Sequence, residues 1–171
     1  LGVVRGERVA IAAKNSVLYL ASFFALQRLG ASAVLLSVQL RPEDWKSQLD
    51  LAHCRFVLGE EPYLGTLAGA GPRIIPFYEL EHQVSNGAPA LPQSGELSME
   101  NEVCVIFTSG SSGHNKGVCL SLGNFLSSAA ASNMITGLAP GDSWIVSLPM
   151  YHVGGLGIIY RTLLSGASAF F

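Results

Sequence analysis

Residues 105–117 read Val-Ile-Phe-Thr-Ser-Gly-Ser-Ser-Gly-His-Asn-Lys-Gly. A strand-like apolar run stops there at a loop of Gly, Ser and Thr, and Lys116 closes the loop. Glycine lets a backbone approach a ligand closely, and backbone N–H groups, hydroxyls and one mobile cation together suit a polyphosphate. The pattern is not the GxxxxGK[ST] loop, because Gly117 rather than a hydroxyl residue follows Lys116. We therefore predict a phosphate-binding loop that joins two strands.

A flexible linker is the alternative interpretation of this loop, since Gly/Ser-rich stretches often have that role. Strand-like runs bound the loop on both sides, at 103–107 and 118–120. A loop held by two strands is typical of a rigid scaffold that presents a binding segment. The bounded pattern favours phosphate binding.

The composition indicates a buried sheet and argues against nucleic acid as a partner. Apolar residues make up 49% and charged residues 13% of the 171, against about 25% charged in typical soluble domains. The net charge of −2 comes without a basic stripe, the usual signature of nucleic-acid binding. No apolar run approaches ~18 residues, so we predict no membrane span. Cys54, Cys104 and Cys119 lack CxxC spacing and predict small buried residues in a reducing, cytoplasmic compartment.

Strand and helix patterns alternate along the chain. Strand-like runs lie at 9–13, 33–36, 54–58, 102–107, 118–121 and 144–148. Helical spacing of apolar residues lies at 17–29, 42–52, 62–68, 122–134 and 153–164. Residues 69–101, rich in Pro and Gly, are typical of a loop. Strands separated by helices predict an α/β fold with a mainly parallel sheet and flanking helices.

Three stretches resemble the adenylate-forming (AMP-binding) superfamily of acyl-CoA synthetases, luciferases and peptide-synthetase adenylation domains. They are the loop at 108–117, the opening stretch at 1–11, 15–16 and 25–31, and residues 148–155, which read Leu-Pro-Met-Tyr-His-Val-Gly-Gly. The last is similar to a Pro-x-aromatic-His signature beside the acyl pocket. The resemblance implies an enzyme that joins a carboxylic acid to ATP, releases pyrophosphate and passes the acyl group to a thiol, commonly coenzyme A. It implies small-molecule partners and is compatible with a homo-oligomer.

The same resemblance predicts that residues 1–171 are part of the large N-terminal domain of such a ligase. Leu1 in place of an initiator Met and the apolar ending at 169–171 favour a piece of a longer chain. In the family the magnesium ligand, the adenine and ribose contacts and the lysine of the mobile C-terminal domain come later. We therefore expect Mg²⁺ to be held beyond residue 171 and expect these residues alone to be inactive.

The resemblance and the physical argument assign the same roles within the loop. Hydroxyls would donate to the phosphates and glycines would keep the backbone close. Lys116 would meet the β- and γ-phosphates and help pyrophosphate to leave; the alternative is a solvated loop lysine. His114 and Asn115 fill the variable positions and are assigned no chemistry. The predicted nucleotide-binding residues are Thr108, Ser109, Gly110, Ser111, Ser112, Gly113, Lys116 and Gly117.

His152 is predicted to line the site near the carboxylate and the α-phosphate, and Lys116 and His152 are the two predicted catalytic residues. Without the family pattern, a lone His in an apolar run is more often a packing or capping residue. No His or Cys lies at ligand spacing from His152, so no metal role is assigned. Gly154 and Gly155, in the same signature, are predicted to border the acyl pocket.

Residues 152–166 look most like the o-succinylbenzoate–CoA ligases of menaquinone biosynthesis, which tend to have a basic residue where Arg161 stands. A charge in so apolar a helix needs a partner, and a second carboxylate on the substrate would be one. Arg161 could instead interact with C-terminal carbonyls or reach water. Fatty acyl-CoA synthetases, aryl-CoA ligases, peptide-synthetase adenylation domains and a non-catalytic nucleotide-binding relative remain the alternatives.

Overall fold

A six-stranded sheet forms the centre of the structure, a computed structural model that describes residues 2–67, 71–85, 87, 97–109 and 115–171. The spatial order of its strands is β4-β3-β1-β2-β5-β6. The first five strands run parallel, and β6 returns antiparallel to β5. These strands are β1 Arg8–Ala12, β2 Ser32–Leu35, β3 Phe56–Gly59, β4 Arg73–Pro76, β5 Glu102–Ser109 and β6 Asn115–Ser121. The predicted α/β fold with a mainly parallel sheet is confirmed.

Helices cover both faces of the sheet. They are α1 Val17–Arg28, α2 Pro42–Ala52, α3 Glu61–Leu64, α4 Phe77–Ser85, α5 Leu122–Thr136 and α6 Val153–Ser165. One buried cluster joins α1, α5 and α6 to the sheet through Phe23, Phe125 and Tyr160. A second cluster joins α2 to the opposite face through Trp45 and Leu49. Because side chains alternate along a strand, Val9 and Ile11 of β1 belong to the first cluster, and Ala10 and Ala12 belong to the second.

Local signals set the ends of the helices that border the site. Ser16 caps α1, and its hydroxyl accepts a hydrogen bond from the Tyr19 backbone N–H at 3.1 Å. Ser121 and Asn124 form a reciprocal capping box at the start of α5. Gly166 ends α6 in the left-handed conformation.

Three predicted features differ in the structure. The segment predicted as loop at 69–101 contains β4 and α4, because Ile74 and Ile75 pair with β3, and Phe77 and Leu80 pack on the first cluster. Cys119 was predicted to be buried but is exposed, because it lies on the edge strand β6.

The third difference concerns the strand predicted at 144–148. The strand β7 covers only Ser143–Ile145 and pairs in parallel with β8, Ser168–Phe170. Residues 146–152 then form an irregular segment, which we call the connector, between β7 and α6.

Candidate functional site

The predicted phosphate loop lies on a β-hairpin at the carboxyl end of β5. Thr108 pairs across the hairpin with Lys116, and Phe107 pairs with Gly117. Thr108 and Ser109 therefore belong to β5, while Lys116 and Gly117 belong to β6, and the pairing extends further into the motif than predicted. Because β6 begins at Asn115, the motif does not have the strand–loop–helix arrangement of a P-loop.

Thr108 and Lys116 project from the same face of the sheet. Two residues that oppose each other in an antiparallel pair project from the same face of the sheet. Thr108 lies two residues after Ile106 in β5, so its side chain projects from the same face as Ile106, which packs in the cluster under α1, α5 and α6. Both residues are exposed. A hydroxyl and an ammonium thus lie side by side at the loop end of the hairpin. Five predicted binding or variable positions lie outside the described residues: Gly110, Ser111, Ser112, Gly113 and His114.

Gly117 makes room for packing inside the hairpin. A Cβ at this position would lie 3.0 Å from Val105 Cγ1 and 3.4 Å from Phe107 Cε1. A larger residue would press first on the Val105 side chain and then on the Phe107 ring, and Phe107 stands next to Thr108 in β5. Gly117 therefore holds the local shape of the hairpin from the face opposite to Lys116.

His152 lies at the junction of the connector and α6. Its backbone is extended, it precedes the first helical residue, and its ring is exposed. The ring packs edge-on against Tyr151, with 4.8 Å between the ring centroids. Tyr151 and Met150 are buried in the first cluster, on the same face of the sheet as Thr108 and Lys116. His152 is thus an exposed ring on a buried support.

The two glycines after His152 differ in their surroundings. Gly155 is buried, and a Cβ there would lie 2.3 Å from the Pro149 carbonyl oxygen. Helix α6 can therefore approach the connector only because residue 155 has no side chain. A Cβ at Gly154 would lie 2.8 Å from the end of the half-exposed Leu148 side chain, which can move. Of the two, Gly154 has the more open setting for a substrate.

Arg161 turns back along α6 and stacks on an aromatic ring. Its guanidinium carbon lies 5.6 Å from the centroid of the Trp144 ring. Its Nη2 lies 3.6 Å from where a Cβ of Gly157 would be, one turn earlier in the helix. Its Nε is buried and has no hydrogen-bond partner among the described residues. The guanidinium is thus directed towards the N-terminal part of α6, where His152 lies, rather than towards the C-terminal carbonyls.

A cleft opens at the carboxyl ends of β1 and β2, where α1 and α2 depart to opposite faces of the sheet. Its volume is about 490 Å³, and its lining includes Lys14, Asn15, Gln39, Ser147 and Tyr151. Ligands of open α/β sheets bind at such a divergence of successive connections. Strands lie about 4.8 Å apart, so β1 and β5, two strands apart in the sheet, end roughly 10 Å from each other.

The described residues offer neither a reactive buried thiol nor a cluster of metal ligands. Burial raises the pKa of the Cys54 thiol to about 12 and also raises the pKa of Cys104, so both are expected to be unreactive. Within the described ranges, no three His, Cys, Asp or Glu residues come together as a metal site. None of the helices in those ranges is both long enough and apolar enough to cross a bilayer.

The fold and the hairpin define a class of protein: a parallel α/β sheet that presents a Gly/Ser loop and a lysine at the carboxyl end of one strand. The chain belongs to the AMP-binding enzyme family, whose model matches residues 1–171. The family resemblance predicted from the three stretches of sequence is confirmed.

One curated relative and two solved structures show what the chain is similar to within this family. It is 32% identical over 166 residues to a 2-succinylbenzoate–CoA ligase of Bacillus cereus strain ATCC 14579. The alignment covers 97% of this chain and 33% of that protein. The chain thus spans about a third of the length of the curated relatives it matches.

The solved structures are of O-succinylbenzoate coenzyme A synthetase (MenE) from Bacillus subtilis. The complex with AMP matches with a TM-score of 0.86 and 26% identity over 98% of this chain and 43% of that one. The complex with ATP and magnesium ion matches with a TM-score of 0.86 and 25% identity, over 99% of this chain and 45% of that one.

Proposed function

We propose that the protein is an ATP-dependent acid–CoA ligase that acts through an acyl-adenylate, with 2-succinylbenzoate (o-succinylbenzoate) as its acid and menaquinone biosynthesis as its context. The observation that carries the proposal is the hairpin, which sets the Thr108 hydroxyl beside the Lys116 ammonium at the end of β5 in a chain of the AMP-binding family. The similarity to 2-succinylbenzoate–CoA ligases supports the choice of acid. ATP and coenzyme A are then the co-substrates, and the cytoplasm is the proposed location.

The chemistry explains why such a hairpin is useful. A carboxylate oxygen attacks the α-phosphorus of ATP, and the bond to pyrophosphate breaks. The thiol of coenzyme A then attacks the acyl carbon, and AMP leaves. The protein must hold the reacting atoms in line and neutralise the charge that develops on the departing pyrophosphate.

The phosphate loop supplies the donors for the first step. In the proposal, the hydroxyls of Thr108, Ser109, Ser111 and Ser112 and the backbone at Gly110, Gly113 and Gly117 bind the phosphates. Lys116 meets the β- and γ-phosphates and stabilises pyrophosphate as it leaves. As an ammonium on a flexible stem, it can follow the phosphates as they move away. Lys116 therefore acts before the acyl transfer.

Helix α6 and the connector form the acid side of the site. His152, whose ring is exposed on the buried support of Tyr151, is proposed to contact the carboxylate and the α-phosphate. Gly154 is proposed to leave room for the acid. Gly155 brings the helix close to the connector and borders the acid pocket only through its backbone.

Arg161 is proposed to bind the second carboxylate of the acid. It lies nine residues after His152, about 13 Å along the helix axis, but its side chain reaches back by one turn to Gly157. Roughly 8 Å along the axis then separate the guanidinium from His152, a span suited to a short aromatic diacid. Stacking on Trp144 holds the guanidinium in place before the substrate arrives.

Magnesium is part of the proposal without a site in the described residues. The ion would neutralise phosphate charge, but no three-ligand cluster in those ranges fits it. Residues 1–171 would then form part of the N-terminal AMP-binding domain of a larger ligase, and the magnesium ligand would lie elsewhere in that ligase.

Release of pyrophosphate by the complete protein, expressed from its whole coding sequence, tests the proposal. A coupled assay with 2-succinylbenzoate, benzoate and octanoate should give a kcat/KM for 2-succinylbenzoate at least tenfold above the other two. A preference for octanoate or benzoate would point to a fatty acyl- or aryl-CoA ligase. Absence of any acid-dependent release, with ATP still bound, would make the protein a non-catalytic nucleotide-binding relative.

A further inference from the structure

Asn15 ties the connector to the carboxyl end of β1. Its Nδ2 donates to the Val146 carbonyl at 3.2 Å and to the Leu148 carbonyl at 2.9 Å. Its Oδ1 accepts from the Met150 backbone N–H at 2.8 Å. One side chain thus makes three hydrogen bonds to three residues within a five-residue stretch of a distant segment.

The chemistry of the three partners defines the orientation of this amide. Two partners are carbonyl oxygens, which only accept, and the third is an N–H, which only donates. Exchanging the amide O and N atoms would break all three bonds. Asn15 does not cap α1, since the neighbouring Ser16 has that role. Its side chain is therefore committed to the connector.

The connector passes this restraint to His152. Met150, the last residue bonded by Asn15, is fully buried, and Tyr151 and His152 follow it directly. From the other side, the missing side chain of Gly155 lets α6 rest on the Pro149 carbonyl. The His152 ring is thus located by two anchors: Asn15 before it and Gly155 after it.

We propose that Asn15 is a positioning residue for adenylate formation, which sets His152 at the correct height above the carboxyl end of the sheet. The proposal rests on the ligase function proposed above. Asn15 is half-buried at the edge of a cleft, so water can hydrate the Val146 and Leu148 carbonyls if the amide is removed. The fold should therefore survive while the position of His152 relaxes. A displacement of about 1 Å in a group that positions the reactants can slow a reaction by roughly a hundredfold.

Asn15→Ala in the complete protein is the test, and Ser16→Ala is the matched control. Both changes remove a polar side chain from the same turn, but the Asn15 side chain hydrogen-bonds the connector, whereas the Ser16 hydroxyl accepts from Tyr19 within α1. We expect Asn15→Ala to lower the kcat of adenylate formation by about 10- to 100-fold, with the KM for ATP changed less than about threefold. Ser16→Ala should lower the melting temperature at least as much and keep kcat within about twofold of wild type.

Hydrogen exchange gives a readout that does not depend on activity. The Met150 amide should exchange faster in Asn15→Ala than in wild type, and should be unchanged in Ser16→Ala. An active wild type whose kcat is unaltered by Asn15→Ala would overturn the positioning role alone, and so would an equal loss of kcat in both variants. A wild type without acid-dependent pyrophosphate release would overturn the proposed ligase function first, whatever the exchange shows.

Discussion

Replacing Arg161 by leucine should change the protein's preference among carboxylic acids. The guanidinium stacks on Trp144, and its Nε is buried with no hydrogen-bond partner in the part of the chain that the structure describes. Loss of the stacking contact costs about 0.5–1 kcal/mol at a partly exposed site. Removal of a buried, unpaired donor returns about 1–3 kcal/mol. The two terms oppose each other, so the melting temperature of Arg161→Leu should be unchanged or raised.

With a diacid the balance is different, because the second carboxylate would enter the site without its cation. An unpaired charge in such a site costs roughly 2–5 kcal/mol, which corresponds to a fall in kcat/KM of about 30-fold to several thousand-fold. Benzoate and octanoate carry no second carboxylate. Their kcat/KM should stay within about threefold of wild type or improve.

The assay is pyrophosphate release by the complete protein with each of the three acids, alongside a thermal melt. Arg28→Leu is the matched control, since Arg28 is an exposed arginine near the end of another helix, α1. It should leave the ratio between the acids unchanged. A uniform small loss across all acids in Arg161→Leu would refute the role of Arg161 and remove the main structural reason for choosing a diacid.

Two further changes test the packing beside the site and the ion pair between Arg8 and Glu102 at the opposite, amino end of the sheet. Gly155→Ala should lower the free energy of unfolding by about 1–3 kcal/mol, because its Cβ would overlap the Pro149 carbonyl. Gly157→Ala, whose Cβ would lie at an ordinary contact distance of 3.6 Å from Arg161 Nη2, should be neutral or stabilising in the same urea titration. Hydrogen bonds from Arg8 lower the pKa of Glu102, so this carboxylate adds stability above the unfolded pKa of about 4.3 and loses that contribution as the pH falls through the lowered value. Glu102→Gln should thus cost about 1 kcal/mol at pH 6 and progressively less at acid pH; a cost that did not change between pH 6 and pH 3 would contradict the assignment.

Local patterns predicted much of the fold. The caps at Ser16 and Gly166 mark helix ends because they satisfy backbone groups within one turn, so their signal is contained in a few residues. The Gly/Ser motif between two apolar runs likewise predicted strands on both sides of the loop. The strand β4 and the helix α4 were missed, because Pro76 ends one and adjoins the other, and the surrounding prolines outweighed two short apolar patterns.

The candidate site depends on contacts that sequence spacing does not show. Asn15 bonds Leu148 and Met150, which lie 133 and 135 residues further along the chain. Such partners come together only once the strand order is known. One signal was present: Asn15 and Ser16 are adjacent polar residues before a helix that needs a single cap. The unused amide could have been predicted to bind elsewhere.

The central claim is that the hairpin binds the phosphates that leave in the first half-reaction. Lys116→Ala in the complete protein tests it most directly, with the two half-reactions measured separately: pyrophosphate release from ATP and acid, and transfer of a pre-formed acyl-adenylate to coenzyme A. The proposed charge partner of Lys116 is pyrophosphate, which is present only in the first. We predict a fall of at least about a hundredfold in adenylate formation and a change of less than about threefold in the transfer, as expected when a group that stabilises a developing charge is lost. Equal losses in both half-reactions, or none in the first, would contradict the claim.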